Sequence, residues 1–191
     1  MGKVKSAYEI ALERFKQRGE APQREIDRME NVPVGKALAA IFLKQKDYNI
    51  LAEIDKHPEN VREYLIEGAR ETFLNNISLP ADSSTLETNK RAMEGLFQIK
   101  NDKRGVGEIF SQLEYLFHYY EQSLTQAYSQ FKESYAAKIS AALEQRIGTR
   151  MKVDPEKQPG FREEWMKYLS RLNSQYEGLL AEQKEKLRRI G

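Results

Sequence analysis

From Val106 to Ile147 the chain runs for 42 residues with no proline, and with no glycine beyond the first turn. Apolar residues recur at helical spacing throughout. At 1.5 Å per residue such a segment spans roughly 63 Å as one helix, longer than an ordinary globular helix. Leu113, Phe117, Tyr120, Leu124, Ala127, Phe131 and Ser134 alternate four- and three-residue steps, the a/d spacing of a coiled coil. Beyond them the stripe drifts onto Tyr128, Tyr135, Ile139, Ala142 and Leu143, as a straight helix drifts against a strict heptad.

A second pattern follows from Phe161 to Ile190, with Trp165, Leu169, Leu172, Tyr176, Leu179, Gln183, Leu187 and Ile190 on its stripe. Gly148, Pro155, Pro159 and Gly160 punctuate the connection, and so short a link favours antiparallel neighbours. Folding back about residue 154 would set Ile190 opposite residue 118 or so and leave residues 106–117 overhanging. That overhang (Val106, Ile109, Phe110, Leu113, Tyr115, Leu116, Phe117) is apolar on more than one face, so it calls for cover from elsewhere in the chain.

Upstream the chain reads as several shorter helices. Val4, Ala7, Tyr8, Ala11, Leu12 and Phe15 form one stripe ending near Gly19. Pro22 opens a short helix through Ile26 and Met29. Pro33 and Gly35 break it, and a compact apolar helix then carries Val34 to Phe42. Asp47 is a candidate N-cap for a helix holding Tyr48, Ile50, Leu51 and Ile54, and Pro58 divides it from the next. A loop from Asn75 to Ser84 leads to a helix with a Ser84/Glu87 capping box. Asn101 to Gly105 is polar and marks the clearest boundary. The pattern therefore predicts an all-α protein: a small multi-helix head over residues 1–101, and a long antiparallel, coiled-coil-like hairpin over 105–191 with a tip loop at 148–160.

Charge narrows the range of functions. Lys and Arg number 31 against 29 Asp and Glu, a net charge of +2 with the signs interleaved, which disfavours a dedicated nucleic-acid binder. The basic close Lys184, Lys186, Arg188, Arg189 is mixed with Glu182 and Glu185, and basic residues there complement the helix dipole. There is no cysteine, which removes disulfides and thiolate sites and fits a cytoplasmic protein. No apolar run is long enough to span a bilayer, and no signal-peptide pattern opens the chain. Gly2 and Ser6 match a loose myristoylation pattern, which so short a match does not carry.

The candidate chemistry is sparse. His57 and His118 each lie four residues after a glutamate, Glu53 and Glu114, but not at the Glu-x-x-His spacing of four-helix metal sites. No phosphate loop, zinc-helix motif or nucleophile elbow occurs, so no catalytic residue, cofactor or metal is expected. Five of the ten tyrosines sit on the first long helix. Tyr120, Tyr128 and Tyr135 lie on or beside its stripe, while Tyr119 falls off it, where an interface tyrosine would stand. The tip loop brings Arg150, Met151, Lys152 and Val153 together among compensating acids, and its apolar pair would be exposed unless packed on a partner. The expected role is a structural or interaction protein, a scaffold or adaptor binding a protein partner or forming a homodimer. Tyr115, His118, Tyr119 and Arg150–Val153 are its candidate contact residues. The alternative is a small-molecule-binding or enzymatic bundle with its pocket where head meets hairpin, near Tyr115, His118 and Tyr119.

Overall fold

A computed structural model describes residues 7–148 and 152–190, with side chains described from Gln23 onward. Among them the protein is all-α: α1 (Ala7–Lys44), α2 (Ile50–Asp55), α3 (Glu59–Asn75), α4 (Ser83–Ile99), α5 (Lys103–Ile147) and α6 (Phe161–Arg189), with a 3-10 turn at Pro155–Lys157. The stripe starting at Val4 and the Gly2/Ser6 pattern lie outside this description. No described helix is long and apolar enough to cross a membrane.

The chain divides into two compact units. One comprises the described residues up to Ile77 with Lys90–Asn101, and the other Ser78–Asn89 with the described residues from Asp102 on. Helix α4 begins in the second and continues in the first.

In the first unit the expected trio of short helices is one continuous helix. α1 passes through Gly19, Pro22, Pro33 and Gly35 without a break. Pro33 removes the amide that would bond the Met29 carbonyl, and both residues lie on the exposed side of the helix. Gly35 is no breaker but a crossing point. A Cβ on it would lie 2.0 Å from the Leu65 carbonyl oxygen, and one on Gly68 would lie 2.1 Å from the Val32 carbonyl oxygen. The two glycines let α1 and α3 cross almost backbone to backbone, and that contact overrides local propensity. Phe42 and Phe73 meet edge to face at 5.4 Å in a core shared with Ile50, Leu65, Leu74 and Leu96.

Arg91 of α4 closes the C-terminal end of α1. Its guanidinium lies 3.6 Å from the Phe42 ring centroid and donates to the carbonyls of Phe42, Gln45 and Lys46 at 2.9, 2.7 and 3.0 Å. Helix α2 is capped by Asn49, not Asp47, with Asn49 Oδ1 accepting from the Ala52 amide at 3.1 Å, so Tyr48 stays outside the helix. The expected Ser84/Glu87 box is replaced by Asp82, whose carboxylate accepts from both the amide and the hydroxyl of Thr85. These bonds hold the Asp82 carboxyl below its ordinary pKa.

In the second unit, buried Asn89 clamps the backbone of Ser78 by two hydrogen bonds, accepting at 2.9 Å and donating at 2.7 Å. Asp102 caps α5 through the Gly105 amide, and Gly148 ends it in the left-handed conformation at φ 76°. Helix α6 packs antiparallel on α5, but in a different register from the expected one. A Cβ on Gly105 would touch Ile190 at 3.1 Å, Tyr120 donates to Asn173 at 2.9 Å, and the Phe131 and Phe161 rings are 5.2 Å apart. Residues 106–117 therefore do not overhang; they lie level with the end of α6. The end that projects is the other one, where about four turns of α5 run past the start of α6.

The register differs because the connection is not a compact turn. It retraces α5: Glu156 accepts from the Tyr128 hydroxyl at 2.9 Å and from Lys132 Nζ at 2.5 Å, and the Tyr135 hydroxyl donates to the Pro159 carbonyl at 2.8 Å. Phe131, Tyr135, Phe161 and Trp165 knit this end of the pair together.

Candidate interaction face

On α5 the inward positions are Val106, Ile109, Leu113, Phe117, Tyr120, Ala127 and Tyr135, all buried. Ser134, placed on the stripe by a strict heptad, is exposed, because the stripe has already rotated onto Tyr135. On α6 the inward stripe is Phe161, Trp165, Leu169, Leu172, Tyr176, Leu180, Gln183 and Leu187. Its steps of 4, 4, 3, 4, 4, 3 and 4 follow an 11-residue period, which keeps pace with a straight helix. Leu180 is buried at 5% and Leu179 is turned outward at 48% exposure, reversing the roles the heptad spacing assigned.

That rotation opens a groove of about 730 Å³ along one side of the pair. Its α5 wall carries Ser111, Gln112, Tyr115 and Tyr119; its α6 wall carries Gln175, Leu179 and Gln183, with Tyr176 and Leu116 at its floor. Tyr115 and Tyr119 are 64% and 43% exposed. They occupy successive turns, so their rings tilt together at 4.4 Å and the Tyr115 hydroxyl donates to that of Tyr119 at 2.8 Å. That bond, with some desolvation, raises the Tyr115 pKa. Beneath them the Tyr176 and Ser123 hydroxyls share a 2.6 Å hydrogen bond.

Of the residues singled out from sequence, only Tyr115 and Tyr119 line the groove. His118 is exposed beside Tyr119, with ring centroids 6.1 Å apart, and pairs through Nε2 with the Gln122 amide at 3.0 Å. Arg150 and Met151 lie outside the described residues. Lys152 is exposed, whereas Val153 is half-buried within the chain itself, so the exposed apolar tip expected there does not hold for it. The α6 wall was missed. Its signal was present in the sequence, as the 11-residue period that turns Leu179 outward.

No charged side chain lines the groove. Among the described residues no three His, Asp or Glu side chains gather as a metal site requires. Glu53 pairs with Lys56 at 2.7 Å.

Fold and face together define an all-α protein whose antiparallel helix pair presents a neutral, tyrosine-lined groove. Residues 51–189 match the model of DUF6657, a family of unknown function, and the chain belongs to that family. The match takes in nearly all of α2 and all of α3 to α6, and leaves α1 outside. No curated protein and no solved structure matches the chain.

Proposed function

We propose that this protein is a non-enzymatic scaffold or adaptor of the cytoplasm, which uses the α5–α6 pair for self-association or for holding a protein partner. The observation that carries the reading is the Tyr115–Tyr119 pair, two rings left 64% and 43% exposed on the wall of a groove. Tyrosine supplies contact area at low entropic cost and is enriched at protein interfaces, while charged residues are depleted there. A photo-crosslinking amino acid at position 119, introduced in the native cell, tests it. Protein adducts are expected at 119 and not at Gly178, which has open space around its Cα. Equal labelling at both positions, or none at either, would reject the reading.

The groove volume favours a second reading, because about 730 Å³ falls within the range of small-molecule sites. A neutral aromatic compound that raises the melting temperature saturably, and fails to do so in Tyr119→Ala, would favour that reading over the first.

A further inference from the structure

We infer that the occupant of the groove is the same groove of a second copy of this chain, so that two α5–α6 pairs close into a four-helix bundle about a two-fold axis at Tyr115 and Tyr119. The inference rests on the interaction reading above and specifies its partner.

Three observations carry it. The first is hydrogen-bonding chemistry. Every polar side chain on the walls is a serine or tyrosine hydroxyl or a glutamine amide: Ser111, Gln112, Tyr115, Tyr119, Gln175 and Gln183. Each of these groups both donates and accepts, whereas carboxylates only accept and Lys or Arg only donate. The surface is thus its own complement. The second is charge. Charged residues are 31% of the chain, yet none lines the groove, so the groove walls meet their own image without repulsion.

The third is size. The stretch of α5 from Gly105 to Gln130 lies level with α6, is ~39 Å long, and with two helices side by side presents a footprint of roughly 750 Å². A stable interface of standard size takes about 800 Å² from each partner. Tyr115 and Tyr119 stand at the middle of that stretch. A two-fold axis there would seat the exposed rings and Leu179 at the centre of the interface, where aromatic anchors contribute most.

The chain has no cysteine, so single cysteines report proximity against a silent background. In a two-fold dimer only positions near the axis meet their own copies. Under mild oxidation Tyr115→Cys or Tyr119→Cys is expected to form a covalent dimer at least tenfold more than Gly178→Cys. Light scattering on the unmodified chain at tens of micromolar is expected to give twice the 22.2 kDa chain mass. Tyr115→Glu/Tyr119→Glu is expected to weaken the dimer at least tenfold with unchanged far-UV circular dichroism. Met29→Glu, on the exposed side of α1, is expected to leave it intact. A monomer at 100 µM, a dimer indifferent to the tyrosine charges, or preferential crosslinking at 178 would overturn the inference. If the chain is monomeric yet crosslinks a different protein through position 119, the dimer fails and the interaction reading stands. If position 119 meets nothing, both fail.

Discussion

Replacing Gly35 or Gly68 by alanine adds one methyl group where the backbone of the facing helix already stands. The Gly35 Cβ would lie 2.0 Å from the Leu65 carbonyl oxygen and 2.7 Å from its Cα; the Gly68 Cβ would lie 2.1 Å from the Val32 carbonyl oxygen and 2.9 Å from the Lys36 nitrogen. A carbon-to-oxygen contact is comfortable nearer 3.5 Å, so α1 and α3 must part by roughly 1 Å or more. A radial gap of that order forfeits a quarter to a half of each dispersion contact along the seam, including those of buried Ala39, Phe42, Leu65 and Ala69. Overpacking of this kind costs about 1–3 kcal/mol, and because the obstacle is backbone rather than a movable side chain, the upper half of that range applies. Alanine returns ~0.5–1 kcal/mol through helix propensity. The net loss expected is ~1–2.5 kcal/mol for each variant, read from urea unfolding at 222 nm with an unchanged slope.

The double variant is expected to lose less than the sum, since one methyl already separates the helices. Gly107→Ala and Gly178→Ala, where nothing lies within 4 Å of the new Cβ, isolate the propensity term and are expected to gain ~0.5–1 kcal/mol. If Gly35→Ala or Gly68→Ala proved as stable as those two controls, the close α1–α3 crossing would be wrong.

Arg91→Ala removes three carbonyl-directed bonds and the ring contact at the end of α1, and should cost ~2–3 kcal/mol; Arg91→Lys should recover little, because one ammonium cannot span three carbonyls. Amide exchange at residues 42–48 should quicken in both. Asp82→Ala should lower stability by ~1 kcal/mol in thermal unfolding, while Ser84→Ala, which alters no cap, should leave it unchanged within error. The Glu156 carboxyl is held below its ordinary value of 4.5 by the Lys132 ammonium and then by the Tyr128 hydroxyl. Its stabilising effect is therefore complete above the unfolded-chain value and is lost as pH falls through the lowered folded value. Trp165, 5.0 Å from the Tyr128 ring, should report this as a fluorescence transition below pH 4.5 that Glu156→Gln abolishes.

The parts legible in the sequence were those set by local chemistry. The absence of proline and the 3- and 4-residue apolar steps after Val106 are properties of a single helix. They are read from the chain because side-chain direction in a helix repeats every 3.6 residues. The Gly148 stop and the inward burial of Tyr120 and Tyr135 follow from the same geometry. Tyr119 was legible as an outward ring on the same ground. Leu179 was not, because a heptad and an 11-residue period diverge only after several turns, and both assign Phe161 to Tyr176 much alike.

By itself the sequence determined that the chain is helical, where its two longest apolar stripes run, and that its charges balance. Only the tertiary structure decided that Gly19, Pro22, Pro33 and Gly35 sit inside one 38-residue helix, and that Ile190 comes to rest beside Gly105. The reason is physical. A breaker acts through energies of a few kcal/mol that an opposing backbone can outweigh, and a register is set by what the connecting segment touches. Here that segment bonds back to Tyr128, Lys132 and Tyr135. These are contacts between residues more than twenty positions apart, and no local pattern encodes them.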